Sequence, residues 1–579
     1  MTFSQTTLPS KSKEIALLVA AVAVVYCGAL WGTIVSIDDA AIMRFYGSSR
    51  LSLLDVLRAG EGYYYRPLIA LSYFLDARIF GHSPFLMHLE NVLIHGANVV
   101  LLYLLACRLL GTAVPRLPFL AALVFAVHPV NSEAVSWIAG RTDPLAAVFV
   151  LGSALSLCRG AETGRARYTV LSVLLLLVGV MAKETAILFV PASFVLLFCW
   201  RTLHPERCDR FRQQVTVLAG LYLCLCAGAA VVLASRLGGH NSAAKLAAGV
   251  TGGAMLHGLD SLVLFLSVWG FYLKKMVFPW PLCFAITSVS PWYAVPGAAA
   301  LLLLGCARKR SPWFLLFCTG AFFLLPAILV GVLDMTWTVV AERYLYLPCA
   351  FFSIAVVGYL HEVAQRLRLR PMAAPALWLL FAAAALSTVQ RTTVWHSNLS
   401  LFTDTVSKTP DFGMLHNELA AALATSGRLA EAEKELEVAS TLRPSELVQG
   451  LIRRNRILIR VKMAKTPQER RTLLLGYGWD RVRTDPDLLR ILRDEDYAML
   501  RHASGGERDS LASELIEVGD RLYAETGDTL FLYNNGQLHL GRGDEARALS
   551  CFARCAAAPE EAFYKEAAAK LAARLGGKQ

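Results

Sequence analysis

Long apolar runs separated by short polar connections fill roughly the first two thirds of the chain. Positions 15–37 carry no charged residue and follow Lys11 and Lys13. At 1.5 Å per residue that run reaches roughly 34 Å as a helix, enough to cross a bilayer and longer than a signal-peptide core. Comparable runs recur at 85–110, 117–127, 144–157, 168–182, 185–200 and 215–234, and again at 293–307, 313–333, 348–363 and 373–389. The pattern predicts a polytopic bundle of about eleven transmembrane helices, the shorter runs extending into their flanks. The stretch "LDSLVLFLSVWGFYLKKMVFPWPL" at 259–282 is apolar enough for one more. Counting it would put the basic loops after it on the wrong side, so it is read as an embedded or interfacial element.

Beyond about position 390 charged residues become dense and the period changes. "PDFGMLHNELAAALATSGRLAEAEKELEVASTLRP" separates Pro410 from Pro444 by 34 positions, with Ala420, Gly427 and Ala432 where two antiparallel helices must pack closely. Gly543 and Pro559 echo this arrangement near the end of the chain. The spacing is that of tetratricopeptide (TPR) repeats, and the charged helical stretch between the two units extends the stack. The expected architecture is all-α: a membrane domain at 1–392, then a TPR-like α-solenoid at 393–579.

Composition agrees with the pattern: the 579 residues are 56% hydrophobic and 17% charged, too apolar for a soluble protein of this size. The net charge of +12 sits largely in loops between apolar runs, which points to membrane topology and argues against a nucleic-acid partner. Thirteen cysteines are scattered without a CxxC pair, so neither a zinc site nor a disulfide framework is expected. Arg108 and Arg116, "RGAETGRAR", "RTLHPERCDRFR", "ARKR" and "RLRLR" fall on the same side as Lys11 and Lys13 if there are eleven crossings. The positive-inside rule makes that side cytoplasmic. The N-terminus is then cytoplasmic and the C-terminal domain extracytoplasmic, periplasmic if the cell is bacterial and the membrane its inner one.

With that topology, polar groups converge on the outer face. Asp38 and Asp39 end the first helix; adjacent acids repel, and a boundary marker needs only one. Tyr65 and Arg66 follow in the first external loop, then His128, Glu133, Arg141 and Asp143 in the second. Lys183 and Glu184 cap another helix end, and Glu342 and Arg343 precede Tyr344 and Tyr346. Carboxylates, arginines and aromatic rings together suit a sugar and its phosphate, the arginine fork matching phosphate oxygens. Each group also has a structural reading: interface markers for Lys183 and Glu184, an ion pair between Glu342 and Arg343, an aromatic belt for tyrosines 63–65. His88, Asn91, His95 and Asn98 form a polar stripe along one helix, read as inter-helix hydrogen bonding.

The order "IDDAAI", "YYYRPL", "MHLENVLIHGANVVLLY", "HPVNSEAVSWIAGRTD", "MAKETA", "AERYLYLP", then TPR-like repeats, closely resembles the transmembrane-and-TPR protein O-mannosyltransferases (the TMTC family) and their bacterial relatives. The resemblance covers nearly the whole chain. It implies a GT-C type fold and transfer of a sugar, mannose in the eukaryotic members, from a polyprenyl-phosphate donor to a protein hydroxyl, with inversion. It also implies a first-loop carboxylate as base, Asp39 or Asp38 with Asp39 favoured, and Arg66, Arg141 and Arg343 at the donor phosphate. His128, Glu133 and Asp143 would shape the pocket. No resident cofactor or metal site is implied, although paired aspartates would also suit a divalent cation. Two other functions compete: a non-enzymatic membrane-anchored TPR scaffold, and a transporter or flippase for a lipid-linked sugar.

Overall fold

Breaks between helices, more than the helices themselves, set where the polar residues stand. The computed structural model describes residues 8–47, 51–57, 66–110, 116–206, 211–237, 258–306, 311–332, 338–367, 370–442, 444–558 and 562–577. Among the described residues the fold is all-α, and an isolated antiparallel bridge between Ile286 and Val340 is the one extended pairing. Each apolar run lies on a helix: Leu8–Tyr26, Pro84–Leu110, Leu117–Val127, Thr142–Thr163, Ala166–Ala182, Phe189–Leu203 and Phe211–Leu237 in the first group. The second group is Ala294–Cys306, Pro312–Ala321 with Leu325–Val332, Tyr346–Arg366 and Arg370–Val394. Six described helices are long and apolar enough to cross a membrane, or seven if one bent pair counts as a span. The number falls below eleven partly because Ala166–Ala182, Phe211–Ala227 and Pro291–Leu303 are apolar but short.

Leu18, Val99, Phe125, Trp200 and Phe351 are buried in one continuous core of the membrane domain. Leu17, Val24 and Leu379 are exposed, at 60%, 67% and 72%, as side chains facing lipid would be. The polar stripe turns inward. His95 bonds the Tyr346 hydroxyl (2.7 Å) and the Ala126 carbonyl (3.2 Å), Asn91 donates to the Trp137 carbonyl (2.8 Å), and Asn98 donates to the Pro144 carbonyl (2.8 Å). These are the inter-helix bonds that the spacing predicts.

Three local breaks matter for the site. Pro129 has no N–H to continue the helix Leu117–Val127, and the chain bends by 48° into Pro129–Ser136. After Ala182 the backbone is extended at Lys183 (φ −155°, ψ 129°) before it turns again at Glu184. After the first helix and the short turn Cys27–Trp31, 32–35 has no regular structure and the segment is fastened to 396–398. Thr33 N–H donates to the His396 carbonyl (2.9 Å), and Ser36 N–H donates to Asn398 Oδ1 (2.9 Å).

The chain divides into two units, Met1–Pro410 and Asp411–Gln579, so the division falls after Pro410 instead of at 392. The reason is the helix Asn398–Lys408, which is bonded into the first unit. Thr409 Oγ1 donates to the Ala285 carbonyl (2.9 Å) and Lys408 Nζ to the Leu282 carbonyl (2.8 Å). In the second unit each helix packs on its neighbours in sequence. The helix–turn–helix Gly413–Thr425/Leu429–Thr441 turns at Gly427, and Thr529–Gly541/Glu545–Ala557 turns at Gly543, both glycines at φ 79°. That left-handed conformation is open to glycine at little steric cost. Ala420 and Ala432 are fully buried where the first pair closes.

Candidate active site

Asp38 and Asp39 are adjacent in sequence but differ in their surroundings. Asp39 opens the helix Asp39–Tyr46 and is fully buried. Its Oδ2 accepts the Val35 N–H (3.0 Å) and its Oδ1 accepts the Ala139 N–H (3.0 Å). Burial pushes its carboxyl up to about 7, with the Asp38 charge adding to the rise and the two backbone N–H bonds opposing it. Asp38, by contrast, is exposed. Surrounding protein raises its carboxyl too, and the nearby Arg343 guanidinium pulls it down.

Arg343 leaves the short turn Glu342–Leu345 toward the bent segment. Its Nη1 pairs with Glu133 Oε1 at 2.7 Å, and its backbone N–H donates to Glu133 Oε2 at 3.2 Å. The guanidinium lies 5.5 Å from the Trp137 ring and 5.0 Å from the Tyr344 ring. On that same tyrosine, Lys183 Nζ sits 4.9 Å from the ring centroid while it holds both oxygens of Asp143 at 2.6 and 2.7 Å. Arg66 forks onto Glu184 at 2.9 and 2.6 Å, and it lies within electrostatic reach of Lys183, as does Arg343. Three cations, each with its own carboxylate, therefore lie within electrostatic reach of Lys183 or are Lys183 itself, and Arg343 among them also acts on the exposed carboxylate of Asp38.

Other candidates are committed elsewhere. Arg141 is fully buried and bonds Asp76 (2.6 Å), Glu90 (3.0 Å), the Asn91 side chain (2.9 Å) and the Met87 carbonyl (3.2 Å). It is a structural clamp and not a free phosphate ligand. His128 Nδ1 accepts the Val130 N–H (3.3 Å) and its Nε2 faces the Met276 carbonyl (3.0 Å), so it braces the helix break. Glu342 and Arg343 are not partners. Neighbours on a tight turn point apart, and Glu342 pairs instead with buried Lys275 at 2.5 Å and accepts the Cys283 N–H at 3.2 Å. Tyr65 lies outside the described residues. Sequence reasoning missed Asp76, Glu90 and Lys275. The two lysines at 274–275 inside an apolar run were the available signal, since a buried charge needs a partner. Among the described residues no three of His, Cys, Asp and Glu gather as a set that could hold a metal ion.

Residues 66–233 match the family described as dolichyl-phosphate-mannose-protein mannosyltransferase. Mouse protein O-mannosyl-transferase TMTC4 is 27% identical over 426 residues, which is 64% of this chain and 57% of the relative. Protein O-mannosyl-transferase F38B6.6 of Caenorhabditis elegans is 23% identical over 66% of this chain and 54% of its own length. A shorter match, to mouse TMTC1, reaches 37% over 133 residues, or 21% of this chain and 14% of that protein. The chain is thus similar to the protein O-mannosyl-transferases of the TMTC type. The chain spans little more than half the length of the longer-matched relatives. The family match contains Arg66, Glu133, Asp143, Lys183 and Glu184, whereas Asp38 and Arg343 lie outside it and are joined to it by folding.

Proposed function

We propose that this protein is a membrane glycosyltransferase. It moves a mannose-like sugar from a polyprenyl-phosphate donor to a hydroxyl on protein, on the extracytoplasmic side of the membrane. The observation that carries the reading is the exposed Asp38 carboxylate beside Arg343 and its two companion cations, Lys183 and Arg66. In this reading Asp38, and not Asp39, is the base. Both oxygens of Asp39 are spent on backbone N–H groups, so it fixes the turn that presents Asp38.

Asp38 takes the proton of the acceptor hydroxyl as that oxygen attacks the anomeric carbon from the face opposite the phosphate. The bond from the anomeric carbon to the phosphate oxygen breaks, the polyprenyl phosphate leaves with the electron pair, and the anomeric centre is inverted. Arg343, Lys183 and Arg66 stabilise the charge that grows on the leaving phosphate. Each faces a carboxylate, which offsets its charge locally. The helical repeat unit holds the protein acceptor. In this reading side chains supply the cations, and chelation is expected to leave the transfer rate unchanged.

The test is transfer of labelled mannose from a polyprenyl-phosphate donor by the purified full chain. Asp38→Asn is expected to lower turnover by at least about a hundredfold, in the range for loss of a general base. Full activity in Asp38→Asn would overturn the assignment. The scaffold reading expects no transfer by the wild type at all. Transport is disfavoured because the His95 ring, the Asn91 amide and the Asn98 amide N–H groups are committed to internal bonds.

A further inference from the structure

Glu133 is flanked by two arginines, of which the site described above uses one. The bent segment offers Glu133 and Trp137 one helical turn apart, in "EAVSW"; the end of the helix Arg370–Val394 offers Arg391 and Trp395 at the same spacing, in "RTTVW". Trp137 and Trp395 stack at 6.0 Å and 23°. The stack joins the two segments, and Arg391 stands within electrostatic reach of Glu133.

Arg391 is 4% exposed, and its Nη1 bonds Asp404 Oδ2 at 2.6 Å. Its Nε and Nη2 are enclosed and have no hydrogen-bond partner among the described residues. Leaving buried donors unspent on a charged group is costly, which is a reason to look for a state in which they are used. Asp404 is also shared with Lys408 at 2.5 Å, so one carboxylate serves two cations and a positive charge is left facing Glu133. The remaining acid nearby, Glu342, is already neutralised by Lys275.

We propose that Arg391 is the standby counter-ion of Glu133: when an anionic lipid phosphate draws Arg343 away, Arg391 closes on the vacated carboxylate. The exchange frees Arg343 for the ligand without stranding a buried negative charge. It makes Arg391 a positioning residue, and it rests on the reading of Arg343 as a phosphate ligand. The stacked tryptophans tie the two segments together on either side of the exchange.

The test is a double-mutant cycle on the full chain in nanodiscs, with equilibrium binding of undecaprenyl monophosphate as the readout. Arg391→Gln is expected to weaken binding by about tenfold, and Arg391→Lys, which keeps the charge but loses the planar fork, by less. In a Glu133→Gln background neither change has any further effect, because no carboxylate is left to cover. Equal losses in both backgrounds, or no loss in the wild-type background, would overturn the proposal. If Arg391→Gln does not fold, Arg391→Lys decides by the same comparison. A wild type that shows this coupling yet transfers no sugar supports the exchange and overturns the transferase reading.

Discussion

At the scale of single residues, the two aspartates separate by what their oxygens are doing. Asp39 is held closed by the Val35 and Ala139 N–H groups, and burial raises its carboxyl to about 7. The sign of the resulting pH dependence follows from linkage. A carboxyl raised on folding binds a proton in the folded state that the unfolded chain has already lost. Its stabilising contribution is therefore complete below the ordinary aspartate range and is lost as pH rises toward 7. Asp39→Asn is expected to flatten the decline of Tm between about pH 4 and pH 7, as read by thermal unfolding in detergent. An unchanged slope would remove Asp39 from the account. The same residue pair shows where sequence reasoning stops. "IDDAAI" marks the place of the acids, but which of them is free depends on the Ala139 N–H, a hundred positions away.

At the scale of elements, the turn Ala139–Arg141 joins the site to its support. Arg141 anchors it from below through Asp76 and Asn91, and Ala139 grips Asp39 from above. Gly140 allows the turn to sit against the bent segment: a Cβ there would meet the Glu133 carbonyl oxygen at 2.9 Å and that of Ala134 at 3.0 Å. Backbone cannot yield as a flexible side chain does. Gly140→Ala is expected to cost about 1–3 kcal/mol and to lower transfer by shifting the Ala139 N–H. Thermal unfolding and initial rates measured together check both parts. The contrast is Arg343→Lys, whose side chain is 23% exposed. It should leave Tm nearly unchanged while raising the donor KM, because lysine lacks the fork that matches a phosphate. The helices at this scale were legible in the apolar runs, and the block "HPVNSEAVSWIAGRTD" located the turn. Partner choice was not legible. Glu342 beside Arg343 reads as a pair, yet its partner Lys275 comes from a helix 67 positions away.

At the scale of the whole molecule, the proposal stands or falls with sidedness. The site groups come from the starts of the helices Asp39–Tyr46 and Pro67–Phe80, from the breaks at 128–136 and 183–184, and from the turn before Tyr346–Arg366. A lipid-linked donor and a protein acceptor can meet there only if those breaks share a side. The basic connections at 108–116 and 159–167 supply the opposite expectation for the other ends of the same helices. Cysteine substitutions at two exposed positions, Arg165 and Ser510, test both halves of this argument in a background cleared of reactive native cysteines. In sealed membranes of native orientation a membrane-impermeant maleimide applied from the extracytoplasmic side is expected to label Ser510→Cys and to spare Arg165→Cys. Labelling of Arg165→Cys alone would put the helical repeat unit in the cytoplasm. It would then leave Asp38 and its cations without the acceptor that the transfer reaction requires.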